Sequence, residues 1–167
     1  EGGYRTGAFV SAFVLDRRFG LARGFATYED DVPARGAERV LASVTANVTV
    51  DRALAWLRAA DPRPVFAWVH LYDPHLPYEP PEPYDTRFPG KHDEFGRKIT
   101  DIYWAGKPLT PEVRRHFRSQ YDGEVAFTDD VLARVFARLR EMGRYEDSLI
   151  ILTSDHGDSL GEEGRWG

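Results

Sequence analysis

Ser148-Leu-Ile-Ile-Leu-Thr-Ser-Asp-His-Gly-Asp158 is an apolar run that stops abruptly at an acid, a histidine and a glycine. Ile150, Ile151 and Leu152 read as a strand buried on both faces, as in a parallel sheet. Thr153 and Ser154 end the run, so Asp155 and His156 are expected where that strand leaves the sheet. In open α/β folds the crevice at the carboxyl ends of strands is where ligands bind. A carboxylate beside an imidazole offers two donors for a divalent cation. Gly157 lets the backbone turn away and approach whatever is bound. The plainer alternative is a strand-end turn in which Asp155 caps the next segment and His156 is solvated.

Outward from this stretch, 167 residues are enough for one domain with a core. Apolar content of 42% and charged content of 29% are ordinary for a globular chain. A net charge of −5 argues against a nucleic-acid surface. No apolar run approaches the length of about 18 residues that a membrane span needs, and no signal peptide is visible. With no cysteine, disulfides and thiolate metal sites are excluded within the chain.

Taken in order, Gly2-Gly-Tyr-Arg-Thr6 and Ala8-Phe-Val10 read as a turn and a strand of about six residues. Residues 15–25 hold two glycines and no period, and predict a loop. The acidic tract Tyr28-Glu-Asp-Asp31 reads as a solvated loop in preference to a metal site. Helical spacing of Val40, Leu41, Val44, Val48, Leu54 and Leu57 predicts a helix from about Arg35 to Ala60, ended by Asp61-Pro-Arg-Pro64. Val65-Phe-Ala-Trp-Val-His-Leu71 predicts a second interior strand, which delivers His70 near its end.

Tyr72-Asp-Pro-His-Leu-Pro-Tyr-Glu-Pro-Pro-Glu-Pro-Tyr84 carries five prolines, which preclude helix and sheet interior. A stiff loop is expected there, one that holds His75 in place rather than letting it search. Lys91 to Gly106 reads as an irregular excursion. Thr110-Pro-Glu112 has the N-cap hydroxyl, first-turn proline and acid of a helix start. Val113, Phe117, Tyr121, Val125, Leu132, Val135, Phe136 and Leu139 carry an apolar face, and Gly143 closes the helix. The expected length is roughly 45 Å, with a bend near Gly123. Strand, long helix and the strand at Ser148 would make a right-handed crossover of an α/β sheet.

Five segments then stand in register: Gly3-Tyr-Arg-Thr6, Phe19-Gly-Leu-Ala-Arg-Gly-Phe25, His70-Leu-Tyr-Asp-Pro-His75, Tyr121-Asp-Gly-Glu-Val-Ala126 and Thr153-Ser-Asp-His-Gly-Asp158. In that order they resemble the bacterial sulfatase-like hydrolases of the alkaline phosphatase superfamily. The resemblance implies an α/β fold, part of a three-layer sandwich with a mostly parallel sheet flanked by helices. It implies that residues 1–167 are a partial sulfatase catalytic domain, lacking the nucleophile strand and the C-terminal part. By the same resemblance Asp155 and His156 are metal ligands, and His75 contacts the sulfate as catalytic and substrate-binding residue. His70 is a secondary substrate-binding candidate, or a hydrogen-bonded core histidine. Asp122 and Glu124 are read as organising the helix and its neighbours.

The implied cofactors are a divalent metal, Ca2+ ahead of Mn2+, Zn2+ or Mg2+, and a formylglycine nucleophile outside this chain. None of Ser11, Ser43, Ser119, Ser148, Ser154 or Ser159 has the Pro/Ala and Arg context of that modification. The implied partner is a sulfate-ester small molecule or glycan, with no nucleic acid and an open oligomeric state. The implied location is periplasmic, exported or membrane-associated in a bacterium. Two departures qualify the pattern. Gly7-Ala-Phe-Val-Ser-Ala12 lacks the lysine and histidine that many sulfatases carry after the Gly-Tyr-x-Thr element. Gly161-Glu-Glu-Gly164 replaces a common Gly-Glu-His-Gly. The first keeps two rivals open, a phosphodiester or phosphonate monoester hydrolase and a non-catalytic relic binding module.

Overall fold

A computed structural model describes residues 2–33, 42–59, 61–92, 95 and 110–160. Three strands are formed, β1 (Arg5–Val10), β2 (Thr27–Glu29) and β3 (Val65–His70), with helices α1 (Ala46–Leu57) and α2 (Pro111–Glu141). Contacts divide the chain into two units, Glu1–Tyr72 and Asp73–Gly167.

In the first unit the sheet order is β2-β1-β3 and both pairings are parallel. Arg5 is opposite Val65 and Val10 opposite His70, so β1 and β3 run in step over six residues. Side chains alternate across a strand, and β1 uses both faces. Ala8 and Val10 join Tyr28 in a cluster covered by Leu15, Ala22, Phe25 and Trp68. Gly7 and Phe9 face α1, where the Trp56 ring meets Phe9 edge-on at 5.6 Å. Arg5 lies 4.0 Å over that indole and donates to the carbonyls of Trp56 and Ala59. Both faces of a parallel sheet must be covered, and here one cover is a helix and the other an aromatic loop.

The expected loop at 15–25 is formed by short 3-10 turns, Phe13–Leu15 and Arg17–Phe19, with further turns after them. The acidic tract is structured more than a solvated loop would be. Tyr28 and Glu29 belong to β2, Asp30 takes a two-pronged bond from Arg17, and Asp31 pairs with Arg52. Arg17 holds the Asp30 carboxyl below its ordinary range. Only Ala46–Leu57 of the expected helix is helical, while residues 34–41 and 60 lie outside the described residues.

Two expectations are corrected. β3 forms over Val65–His70 but lies at an edge of the described three-stranded order, with Phe66 exposed, because β1 takes the central position. The run at Ser148 is not a strand. Residues 148–154 have no ladder pairing, and Leu149, Ile151 and Leu152 are 88%, 77% and 70% exposed. A strand needs a neighbour to take its N–H and C=O groups. Apolar composition states that need but cannot supply the neighbour, and none pairs with the run among the described residues. The expected crossover into this run is therefore not formed.

In the second unit, α2 is one helix of 31 residues, about 46 Å long at about 1.5 Å per residue. Thr110 caps it by accepting from the Val113 N–H, and Gly143 ends it at φ 64°. The helix runs unbroken through Gly123. That glycine serves close approach instead, since a Cβ there would stand 2.7 Å from the Tyr84 carbonyl and 2.8 Å from Pro80. The expected excursion from Lys91 to Gly106 lies outside the described residues except for 91, 92 and 95.

Gly7 supplies a test of the first unit. A Cβ at this position would lie 2.9 Å from the Trp56 ring, so Gly7→Ala overpacks the β1–α1 contact. Chemical denaturation should show a loss of about 1–3 kcal/mol, and an unchanged midpoint would contradict this packing.

Candidate functional site

Proline supplies no N–H and breaks regular ladders, so the loop after β3 needs other partners for its backbone. Leu76 and Tyr78 anchor it. Both are buried with Val113 and Phe117 of α2, and Phe95, Tyr121 and Leu160 pack against the group. Tyr78, 2% exposed, meets Phe117 and Tyr121 edge-on at 6.1 and 5.5 Å.

The buried side of α2 is more polar than its apolar period predicts. His116, Ser119, Gln120 and Glu124 are buried, whereas Val125 is exposed. Three of these polar groups bond the backbone of the loop and of the segment that follows it. Gln120 donates to the Asp85 carbonyl at 2.9 Å, His116 Nδ1 accepts from the His92 N–H at 2.9 Å, and Glu124 Oε1 accepts from the Glu79 N–H at 2.9 Å. Glu124 is 4% exposed, and its Oε2 is buried with no hydrogen-bond partner among the described residues. Burial, the neighbouring charge of Asp73 and the more distant charge of Glu79 push its carboxyl up to about 8, against the pull of the Glu79 N–H.

His75 is half-buried within this loop, and its Nδ1 lies 2.6 Å from the Leu76 carbonyl. A carbonyl only accepts, so Nδ1 carries the proton that makes this bond. His156 repeats the device, with Nδ1 3.0 Å from the Gly157 carbonyl. Its Nε2 stands 3.8 Å from Asp155 Oδ2, and the His156 N–H donates to Asp155 Oδ1 at 3.0 Å. The Gly157 carbonyl first, then Asp155, raise the His156 pKa. Protons therefore compete with a cation for Nε2 more strongly at acidic pH.

Asp155 and His156 are both exposed rather than packed against apolar neighbours. They form a pair, and among the described residues no group of three or more acid or histidine side chains assembles into a metal cage. A carboxylate oxygen and a neutral imidazole nitrogen fit a divalent cation as a partial ligand set.

Tyr78 and Asp158, neither singled out by the sequence, join the two motifs. The Tyr78 hydroxyl donates to Asp158 Oδ2 at 2.6 Å. Tyr78 lies three residues past His75, and Asp158 two past His156. The loop and the Asp-His segment are thus tied together by a bond from a buried phenol. An aromatic residue between prolines was the available clue, since such a loop needs an anchor. Gly123-Glu124, a small residue beside an acid within the helix, was the clue to the other contact.

His70 belongs to the first unit. Ser11 Oγ donates to the His70 carbonyl at 2.9 Å and lies 3.3 Å from its Nδ1. The ring lies edge-on to Trp68 at 6.2 Å and tilted against Tyr72 at 6.1 Å. This is the setting of a hydrogen-bonded sheet histidine.

The sequence model of the Sulfatase family matches residues 2–167. The chain belongs to the sulfatase family. A multifunctional alkaline phosphatase superfamily protein, PehA of Trinickia caryophylli, is 30% identical over 138 residues, covering 67% of this chain and 27% of that protein. An arylsulfatase of Clostridium perfringens is 26% identical over 130 residues, covering 70% of this chain and 27% of its own. The crystal structure of a phosphonate monoester hydrolase of Agrobacterium radiobacter superposes with a TM-score of 0.68 at 20% identity, over 99% of this chain and 47% of that one. The sulfatase-family chain thus spans about a quarter of these curated relatives. Its fold is α/β, alkaline-phosphatase-like, with a parallel sheet and helices. No described helix is long and apolar enough to cross a membrane.

Tyr78→Phe tests the tie between the motifs. It keeps the packing on Phe117 and Tyr121 and removes one hydrogen bond to a carboxylate, a loss of about 1.5–3 kcal/mol. Amide exchange over 156–160 should accelerate while that of α2 is unchanged, and equal protection of 156–160 in variant and parent would contradict the assignment.

Proposed function

We propose that the chain supplies part of the active site of a metal-dependent hydrolase that cleaves sulfate esters. The observation that carries this reading is the exposed Asp155–His156 donor pair, tied through Asp158 and Tyr78 to the loop that bears His75. Family membership supports the same chemistry.

Asp155 and His156 would hold the cation, through a carboxylate oxygen and Nε2. A divalent cation, Ca2+ first and Mn2+, Zn2+ or Mg2+ after it, supplies Lewis-acid charge that activates a nucleophile and offsets the ester's anionic charge. His75, with Nδ1–H committed to the Leu76 carbonyl, exchanges its proton at Nε2. That atom would donate to an ester oxygen or protonate the departing alkoxide. The proline-rich loop holds the ring in place before substrate arrives, which lowers the ordering cost of binding.

A second reading, hydrolysis of phosphonate monoesters or phosphodiesters, has its own support. Gly7–Val10 lies inside the sheet, and Ser11 is bonded to His70. That stretch therefore offers no cation where many sulfatases have lysine. Relatives named as sulfatases and one named as a multifunctional superfamily member are both similar to this chain.

Matched sulfate, phosphonate and phosphate esters assayed with the full-length protein should separate the two. Faster turnover of the sulfate ester is expected, and far faster turnover of a phosphorus ester would establish the second reading. Chelation should abolish activity and an added divalent cation restore it. Asp155→Ala should mimic chelation with little change in stability, because an exposed carboxylate contributes little to folding. His75→Ala should lower kcat by about 10²–10⁴-fold at unchanged metal affinity. Full activity in chelator, or in His75→Ala, would remove the corresponding role.

A further inference from the structure

We propose that Glu124 is a positioning residue for His75, its buried carboxyl clamping the proline-rich loop to α2 from beneath. The proposal deepens the reading of His75 given above and rests on it for its kinetic part alone.

Glu124 meets the loop where no sheet or helix can. Oε1 takes the Glu79 N–H at 2.9 Å, four residues past His75. Asp73, two residues before His75, acts on the same carboxyl by its charge. The side chain therefore holds the loop after the imidazole by a bond and faces an acidic charge before it. The adjoining Gly123 admits Pro80 and the Tyr84 carbonyl close against the helix. Glu124 bonds the loop backbone and acts through it.

The charges that bear on the Glu124 carboxyl among the described residues are those of Asp73 and Glu79, both acidic. Its folded-state pKa, about 8, lies above the ordinary 4.5. The fold thus binds this proton more tightly than the unfolded chain does. The stabilisation is fully present below about 4.5 and is lost as pH rises through about 8. A neutral carboxyl keeps one acceptor oxygen for the Glu79 N–H and adds no charge beside Asp73. An ionised one repels Asp73 and loosens the loop.

The experiment uses the full-length protein with Glu124→Gln and Glu124→Ala. Glutamine keeps the acceptor and the neutral state, whereas alanine removes both. Amide exchange of Glu79, corrected for intrinsic rate, should be slow in the parent at pH 6 and faster at pH 9. It should stay slow at both in Glu124→Gln and be fast at both in Glu124→Ala. On a substrate that the parent cleaves, Glu124→Ala should lose about 10–100-fold in kcat/KM, the scale seen when partners that orient a functional histidine are removed. Glu124→Gln should restore most of it and remove the decline centred near pH 8.

Equal behaviour of the glutamine and alanine variants, or a Glu79 exchange rate that ignores both substitution and pH, overturns the proposal. If the parent cleaves none of the esters, the hydrolase reading fails, while the exchange comparison still decides whether Glu124 clamps the loop. If Glu124→Ala does not fold, the parent's pH dependence against that of Glu124→Gln carries the same decision.

Discussion

The second unit depends on how a loop without a ladder satisfies its backbone. Prolines at 74, 77, 80, 81 and 83 keep residues 73–84 out of helix and sheet. Every N–H or C=O that the loop buries must still find a partner. α2 supplies such a partner inside the loop through Glu124, supplies others just after it through Gln120 at Asp85 and His116 at His92, and supplies packing through Val113 and Phe117. The helix is long and uninterrupted because it acts as the rail on which an irregular segment is laid. Substitution of any of these polar residues by an apolar one would leave a backbone group unsatisfied while adding nothing that the packing lacks.

The first unit meets a different demand. A parallel strand bonded on both sides needs both faces covered. β1 achieves this with alternating residues, Gly7 and Phe9 against α1 and Ala8 and Val10 beneath the aromatic loop. Glycine at 7 admits the Trp56 ring, and Arg5 closes the far side of that ring while bonding the end of α1. Ser11 then fastens the last residue of β3. The sheet is small, and its order comes from side chains fitted one to one rather than from strand number.

Much of this was legible in the amino-acid order. β1, β3 and both caps of α2 follow from local rules, because apolar runs, hydroxyl caps and a closing glycine act over a few residues. β2 escaped notice because three residues carry no measurable period, and its pairing with β1 is set by the loop between them. Leu149–Leu152 misled for the opposite reason. Its composition is that of a buried strand, but burial needs a partner that composition does not name. Asp155, His156 and His75 stood out by residue type and context. Tyr78 and Asp158 did not, since their contact joins residues 80 apart in sequence, and Glu124 was read as organising the neighbourhood of the helix without its partner at Glu79, 45 residues away.

The two imidazoles at 75 and 156 share one further property. Each has its Nδ1 claimed by the carbonyl of the very next residue, so neither ring can exchange its ends without breaking a bond to its own chain. Each histidine is therefore directional, with Nδ1 given to the backbone and Nε2 on the opposite edge of the ring. Amide side chains can imitate only half of that. Asparagine reaches about as far as Nδ1 and glutamine about as far as Nε2, so the first would preserve the local turn and the second the outward contact. Both functions at one position require an aromatic ring with nitrogens on two edges.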